Sequence, residues 1–219
     1  MIDFLNTKSI VTPRGEVAVI ARGEEILWKR KKYKKELLYL ESTGTQHIVT
    51  KIYPDSTYTF DTSVAVLEDG FNCVYWGTRR SGNSSTNNAQ CYLNSNTTIP
   101  HFSTITLYST GTSVSENWGS GIKPVVGTLY ELSNMTVVPT MLEMIYPIVL
   151  FGLNNIGNIN ASLGICRIGK WTAYSNGNPV CDLIPVLDWN DVPCMYDKVS
   201  DELLYNSGAG EFLYGEVIV

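Results

Sequence analysis

Apolar and polar residues alternate in short runs along most of this chain, with the two-residue period of extended strands. In the segment that begins at Leu38, Leu38, Leu40 and Ser42 fall on one face and Tyr39, Glu41 and Thr43 on the other, and Gly44 marks the turn that ends it. One face can therefore be buried and the other wet. Similar strand-like runs cover residues 58–60, 63–67, 73–78, 104–108, 128–132, 147–153, 164–171 and 180–187, separated by polar turns. Near the end, Cys194 and Tyr196 precede the polar connection Asp197 to Asp201, and Leu203 and Tyr205 follow it. Asn206 to Gly210 then stops the strand, a pattern that predicts a hairpin closed by a glycine turn. No stretch carries a long helical period, so the chain predicts an all-β sandwich or barrel.

The first 36 residues stand apart from the rest. Runs at 17–20 and 26–28 are strand-like, and each follows an Arg-Gly-Glu triplet, at 14–16 and 22–24. Two copies fit a small meander and do not establish a solenoid. Residues 29–35 are all Lys or Arg except Tyr33, which predicts a solvated linker. The expected division is a β appendage with its basic linker over 1–36 and a single large domain over 37–219.

Charge sharpens that division. Residues 1–35 carry nine Lys or Arg against four acids, which leaves seven against seventeen in the remainder. An acidic body without a basic face or a nucleic-acid motif argues against nucleic-acid binding. Charged residues make up 17% of the chain, below the usual share of about a quarter, and aromatic residues 11%. The opening Met1-Ile-Asp-Phe-Leu lacks the basic start of a signal peptide. The longest apolar stretch, 141–153, is interrupted by Glu143 and Pro147 and falls short of a bilayer core of about 30 Å. Folding in a cytoplasm without membrane insertion is expected. Cys73, Cys91, Cys166, Cys181 and Cys194 include no closely spaced pair and read as buried small hydrophobes in a reducing compartment. With only His47 and His101 beside them, a zinc site is not expected.

Candidate chemistry is sparse. Glycan cleavage needs two carboxyl groups about 5 to 9.5 Å apart, usually from acids at alternate strand positions, and no such strand occurs. The cluster Asp188-Trp-Asn-Asp191 reads as a turn. There is no Gly-x-Ser-x-Gly elbow, and Gly208-Ala-Gly210 opens no helix that would cradle a phosphate. Asp55, Asp61 and Asp69 qualify as calcium ligands by type alone, without the spacing of a calcium loop. No catalytic residue, metal or cofactor is expected. Aromatic faces with neighbouring polar groups are the usual means of holding a sugar. Tyr92 and Trp118 lie in a stretch rich in Asn, Ser and Thr, and Arg79 and Arg80 border the polar loop 81–88. These four are the candidate ligand-binding residues, whereas Trp76, Trp171 and Tyr196 sit in strands and are expected in the core.

Two segments carry a resemblance: Leu38-Tyr-Leu-Glu-Ser-Thr-Gly-Thr-Gln-His-Ile48 and Pro193-Cys-Met-Tyr-Asp-Lys-Val-Ser-Asp-Glu-Leu-Leu-Tyr-Asn-Ser-Gly-Ala-Gly-Glu-Phe212. Between them lie Val74-Tyr-Trp-Gly-Thr-Arg79, residues 148–157, residues 164–171 and Leu183-Ile-Pro185. In this order they resemble the concanavalin A-like, laminin G-like jelly-roll domains of phage and prophage tail, fibre and virion-surface proteins. Two departures stand out: His47-Ile-Val-Thr-Lys51 replaces a more typical Tyr-Ile-Asp-Thr-Gly, and residues 83–123 have no counterpart. The resemblance implies a two-sheet antiparallel sandwich on a virion surface, made in the host cytoplasm, that binds host-cell or mucosal glycans without cleaving them. It implies attachment to other virion proteins through residues 1–36, and a homo-oligomer, with a trimer by analogy to fibres. A structural virion subunit without glycan binding is the alternative, and a glycan-cleaving enzyme a more distant one.

Overall fold

A computed structural model describes residues 7–11, 17–22, 25–67, 73–80, 88–95, 102–109, 112–115, 125–137 and 143–218. All regular structure among them is strand, apart from one 3-10 turn at Ala161–Leu163. Strands β1 (Thr7–Val11), β2 (Val17–Arg22) and β3 (Glu25–Lys29) form a separate three-stranded antiparallel meander, as the alternation at 17–20 and 26–28 predicts. The chain continues with β4 (Tyr33–Leu37), β5 (Leu40–Glu41), β6 (Ile48–Val49), β7 (Tyr58–Val66), β8 (Cys73–Arg79), β9 (Asn88–Ser95), β10 (Phe102–Ser109) and β11 (Thr112–Ser115). Then come β12 (Tyr130–Thr136), β13 (Val149–Leu150), β14 (Leu153–Asn155), β15 (Asn158–Asn160), β16 (Cys166–Ser175), β17 (Asn178–Asp188), β18 (Pro193–Asp197), β19 (Glu202–Leu204), β20 (Leu213–Tyr214) and β21 (Val217–Ile218).

These strands form two sheets. The eight-stranded sheet runs β11-β10-β9-β8-β13-β6, with the β14–β15 hairpin joined to β8. The ten-stranded sheet runs β12-β7-β16-β17-β18-β19, with β4 paired to β17 and β5 to β16. Their inner faces share one core, in which Phe60 and Trp171 of the ten-stranded sheet meet Trp76 of the other. Ring centroids are 4.8 Å apart for Phe60 and Trp76, 5.6 Å for Phe60 and Trp171, and 5.9 Å for Trp76 and Trp171. Fully burying such rings contributes about 1.5–3 kcal/mol each, so this aromatic contact is a substantial tie between the sheets. The expected all-β two-sheet sandwich is therefore present, with Trp76 and Trp171 in its core. All five cysteines are free and buried, and the Cys166 thiol donates to the Gly164 carbonyl at 3.5 Å.

The basic run is where the structure departs most from expectation. Its second half is not a linker: Tyr33 and Leu37 are buried while Lys34 and Lys35 face water, and β4 pairs antiparallel with β17, Glu36 opposite Val186 and Lys35 opposite Leu187. The lysines had concealed a strand buried at both ends. Tyr33 packs on Val186 and Cys194 in a small cluster on the outer side of the sheet, its ring 4.9 Å from that of Tyr196. The body thus includes residue 33, and the division expected at 36/37 moves towards the amino terminus.

Residues 147–153, expected as one strand, are broken by Phe151 at φ 60° and Gly152 at φ 151°. The reversal lets β13 run antiparallel to β8 and β14 parallel to it, Val149 opposite Gly77 and Asn154 opposite Thr78. Gly164 packs so closely on the Phe151 backbone that a Cβ has no space there. The runs 58–60 and 63–67 merge into one strand, β7, whose central position between β12 and β16 explains burial on both faces.

A candidate ligand-binding rim

Strand β8 leads from the core to the rim. An irregularity between Val74 and Trp76 turns Trp76 inward, and Gly77 then stands opposite both Gln90 of β9 and Val149 of β13. A Cβ on Gly77 would lie 2.5 Å from that of Gln90, so the glycine is what lets the Gln90 side chain sit there. Thr78 donates its hydroxyl to the Tyr146 carbonyl at 2.9 Å, Arg79 pairs with Asn155 of β14, and Arg80 follows the strand end. The parallel β14 thereby carries Asn155 to the arginines, and the Thr78 bond holds the Tyr146 backbone near them. Nη1 of Arg80 donates to the Glu143 carbonyl at 2.8 Å, and the Met144 amide donates to the Pro54 carbonyl at 2.9 Å. Those two bonds bring exposed Tyr53 to the same end of the sandwich.

Charge distinguishes this end. Elsewhere in the body, Lys51 meets Glu202 at 2.6 Å, Arg167 meets Glu41 at 2.6 Å, Lys170 meets Glu131 at 3.0 Å and Lys198 meets Asp182 at 3.3 Å. Arg79 and Arg80 have no carboxylate partner among the described residues. Desolvation without a counter-charge lowers the Arg79 pKa, although the group stays cationic, and its Nε is enclosed with no hydrogen-bond partner. The enclosed Gln90 Oε1 also lacks a partner. Unpaired buried polar atoms are costly, and here a donor and an acceptor remain open on neighbouring positions of one sheet face.

Of the four residues expected to form the site, Arg79 and Arg80 lie together at the end of β8. Tyr92 lies opposite Val74, five residues along β8 from Arg79, a separation of about 17 Å at strand rise. Trp118 lies outside the described residues, as does most of the loop 81–88. Tyr53, Tyr146 and Asn155 were missed by sequence reading, since only long-range strand pairing reveals their position.

Carboxylates elsewhere are tied into turns. Burial pushes the Asp188 carboxyl up, but hydrogen bonds from the Val192 and Asn190 amides and the Tyr205 hydroxyl, at 2.9, 2.8 and 3.0 Å, outweigh it and leave the pKa lowered. The expected turn at 188–191 is present, and it holds Trp189 outward with Arg30 stacked 3.7 Å from the ring centroid and the indole N–H on the Lys31 carbonyl. Asp197 accepts from the Asp182 and Val199 amides and the Ser200 hydroxyl. Asp55 accepts from Thr57, and Asp61 accepts from the Asn134 amide and the Tyr174 hydroxyl. Asp69 lies outside the described residues, among which no three potential metal ligands converge.

His47 is half-buried. Its amide donates to Asn206 Oδ1 at 3.1 Å, its carbonyl accepts from Ser207 at 2.8 Å, and its Nδ1 is enclosed without a partner, close against Gly208. Burial lowers its pKa. The predicted glycine turn thus lies over this imidazole.

Comparison with protein families, with curated proteins and with solved structures finds no match to this chain.

Proposed function

We propose that this chain is a phage or prophage virion-surface protein, whose concanavalin A-like jelly-roll sandwich binds host-cell or mucosal glycans without cleaving them. The observation that carries the binding reading is the pair Arg79 and Arg80, two guanidinium groups without carboxylate partners among the described residues, on an otherwise acidic body. Guanidinium forks match carboxylate, sulfate and phosphate oxygens, while Tyr53, Tyr146 and Asn155 offer rings and an amide for the sugar itself. Acidic polysaccharides are the ligand class this combination fits. The virion assignment rests on the resemblance, whose segments fall on β5, β6, β8, β13, β14, β16, β17, β18 and β19. The separate meander β1–β3 is the part available for attachment to other virion proteins, since β4 is held in the sandwich.

Binding of the purified chain to gut-bacterial cells, with isolated polysaccharides as competitors, tests this reading. Saturable binding that one acidic polysaccharide displaces, and that Arg79→Gln with Arg80→Gln weakens, is expected. Absence of binding, together with stable incorporation into particles, would replace it with the structural-subunit reading. Release of reducing ends would replace it with the enzyme.

A further inference from the structure

Residues 206–218 run back beside 36–47, and the two halves of this strap are held by different means. In the second half, Leu213 lies opposite Glu41, Tyr214 opposite Leu40, Val217 opposite Leu37 and Ile218 opposite Glu36. Bonds from the Leu38 amide to the Glu216 carbonyl and from the Gly215 amide to the Tyr39 carbonyl join the two pairs. Phe212 anchors this half in the shared core, its ring centroid 4.7 Å from that of Phe151. The first half, Asn206 to Gly210, has no apolar anchor and is held by hydrogen bonds. The Ser207 and Ala209 amides donate to the His47 and Thr45 carbonyls at 2.8 and 3.1 Å, and Asn206 Oδ1 accepts from the His47 and Gly208 amides at 3.1 and 2.8 Å. Ser207, Gly208, Ala209 and Gly210 are all exposed. Bonds of this kind exchange for bonds to water at small net cost, so the turn can open while Phe212 stays in the core.

What the turn covers decides when it opens. The half-buried His47 imidazole lies beneath it with Nδ1 enclosed and without a hydrogen-bond partner. Gly208 permits this contact, since a Cβ there would lie 2.8 Å from Nδ1 and 2.1 Å from the Thr45 carbonyl oxygen. A neutral imidazole keeps one ring nitrogen free of a proton, and an enclosed nitrogen without a partner suits that form. Protonation makes both nitrogens donors and adds a charge that the closed turn does not solvate. The surrounding elements offer no counter-charge. Residues 206–210 include no titratable side chain, the Tyr205 hydroxyl before them donates to Asp188, and Lys51 on the histidine's own segment is paired with Glu202 at 2.6 Å. Burial alone lowers the His47 pKa, without a contribution from Lys51, Glu202 or the exposed Glu211. A group that is harder to protonate in the closed form leaves closure at full strength above about pH 6.5 and weakens it as pH falls below that value.

We propose that the Asn206–Gly210 turn is an acid-opened flap: protonation of His47 lifts it from residues 45–47, while Phe212 and the strand 213–218 stay in place. Opening frees the Thr45 and His47 carbonyls and the His47 amide beside β6, the last strand on the path of the eight-stranded sheet, next to a newly formed cation.

Native-state amide exchange followed by NMR tests it, on the full chain carrying His101→Gln so that a single imidazole titrates. Protection relative to the intrinsic exchange rate at each pH should fall about three- to tenfold for Ser207 and Ala209 between about pH 7.5 and about pH 5.5. The Leu38 and Gly215 amides, which hold the other half, should keep theirs. His47→Gln should make the protection of Ser207 and Ala209 independent of pH over that range. Gly208→Ala should remove it at both pH values and return the imidazole titration towards its ordinary range. A turn equally protected at both pH values, a loss shared by Leu38 and Gly215, or a pH response that survives His47→Gln would each overturn the proposal.

Discussion

Two corners of this sandwich each present arginine beside aromatic residues, and they treat the charge in opposite ways. At the Trp189 corner, Arg30 lies over an indole, Lys34 is 2.7 Å from Asp191 and Lys32 is 3.6 Å from Asp201. The Asp188 carboxylate beneath them accepts backbone and hydroxyl hydrogen bonds. At the Arg79 corner two guanidinium groups meet only a carbonyl, a neighbouring amide oxygen remains open, and no carboxylate answers them among the described residues. The first corner is internally complete and secures the basic segment to the sheet. The second leaves the Arg79 Nε and the Gln90 Oε1 unpaired among the described residues.

The largest effect should come from removing the first corner altogether. Deleting residues 1–36 takes away Tyr33 and leaves β17 and β21 without their shared neighbour, so cooperative thermal unfolding should be lost, since large buried side chains are each worth about 3–5 kcal/mol. Deleting residues 1–29 should leave the melt nearly unchanged. Equal behaviour of the two truncations would show that β4 is dispensable.

Next in size is Asp188→Ala, which strands two turn amides and should cost about 2–3 kcal/mol in chemical denaturation. Arg79→Gln in the same assay should stay within about 0.5 kcal/mol. A reversal of that ranking would exchange the roles of the corners. For binding the order inverts: Arg79→Gln with Arg80→Gln should weaken an acidic polysaccharide about tenfold or more, near 1.4 kcal/mol, and Trp189→Ala should change nothing. Loss of binding in Trp189→Ala would move the ligand to the other corner.

The smallest effect is on pH dependence. Burial lowers the His47 pKa in the fold, so the unfolded chain takes up its proton first. Stability from this group is complete above about pH 6.5 and declines as pH falls below it. His47→Gln should flatten denaturation midpoints in that window. Asp188, also lowered, loses its contribution only at more acidic pH, below about 4. An unchanged slope in His47→Gln would assign the pH dependence elsewhere.

Much of the fold was legible because a half-buried strand writes its period into the chain. The run expected at 180–187 lies within β17 and that at 164–171 overlaps β16, and the turn residues of Asp188 to Asp191 and Asn206 to Gly210 act as their chemistry suggests. Strand β9 was not read, because Asn88-Ala-Gln-Cys-Tyr is polar enough to pass for loop, and β4 was hidden because its outward positions are lysines. The site was less legible than the fold. Arg79 and Arg80 could be singled out beside a polar loop, but Asn155 reaches them through the Phe151-Gly152 reversal, a feature of backbone path that no residue period encodes.

The enclosed cysteines make the protein its own reporter of motion. A thiol reacts as its thiolate, and burial pushes Cys91 and Cys166 well up and Cys194 to about 12, so a folded molecule resists alkylation twice over, by exclusion and by protonation. Labelling in native buffer then counts openings. Cys73, Cys91 and Cys166 lie in the shared core and react only when the sheets part, whereas Cys194 lies under Tyr33 and reacts when β4 lifts. Two clocks run in one molecule, and their ratio measures how often the strand hidden in the basic run leaves the sheet without the sandwich coming apart.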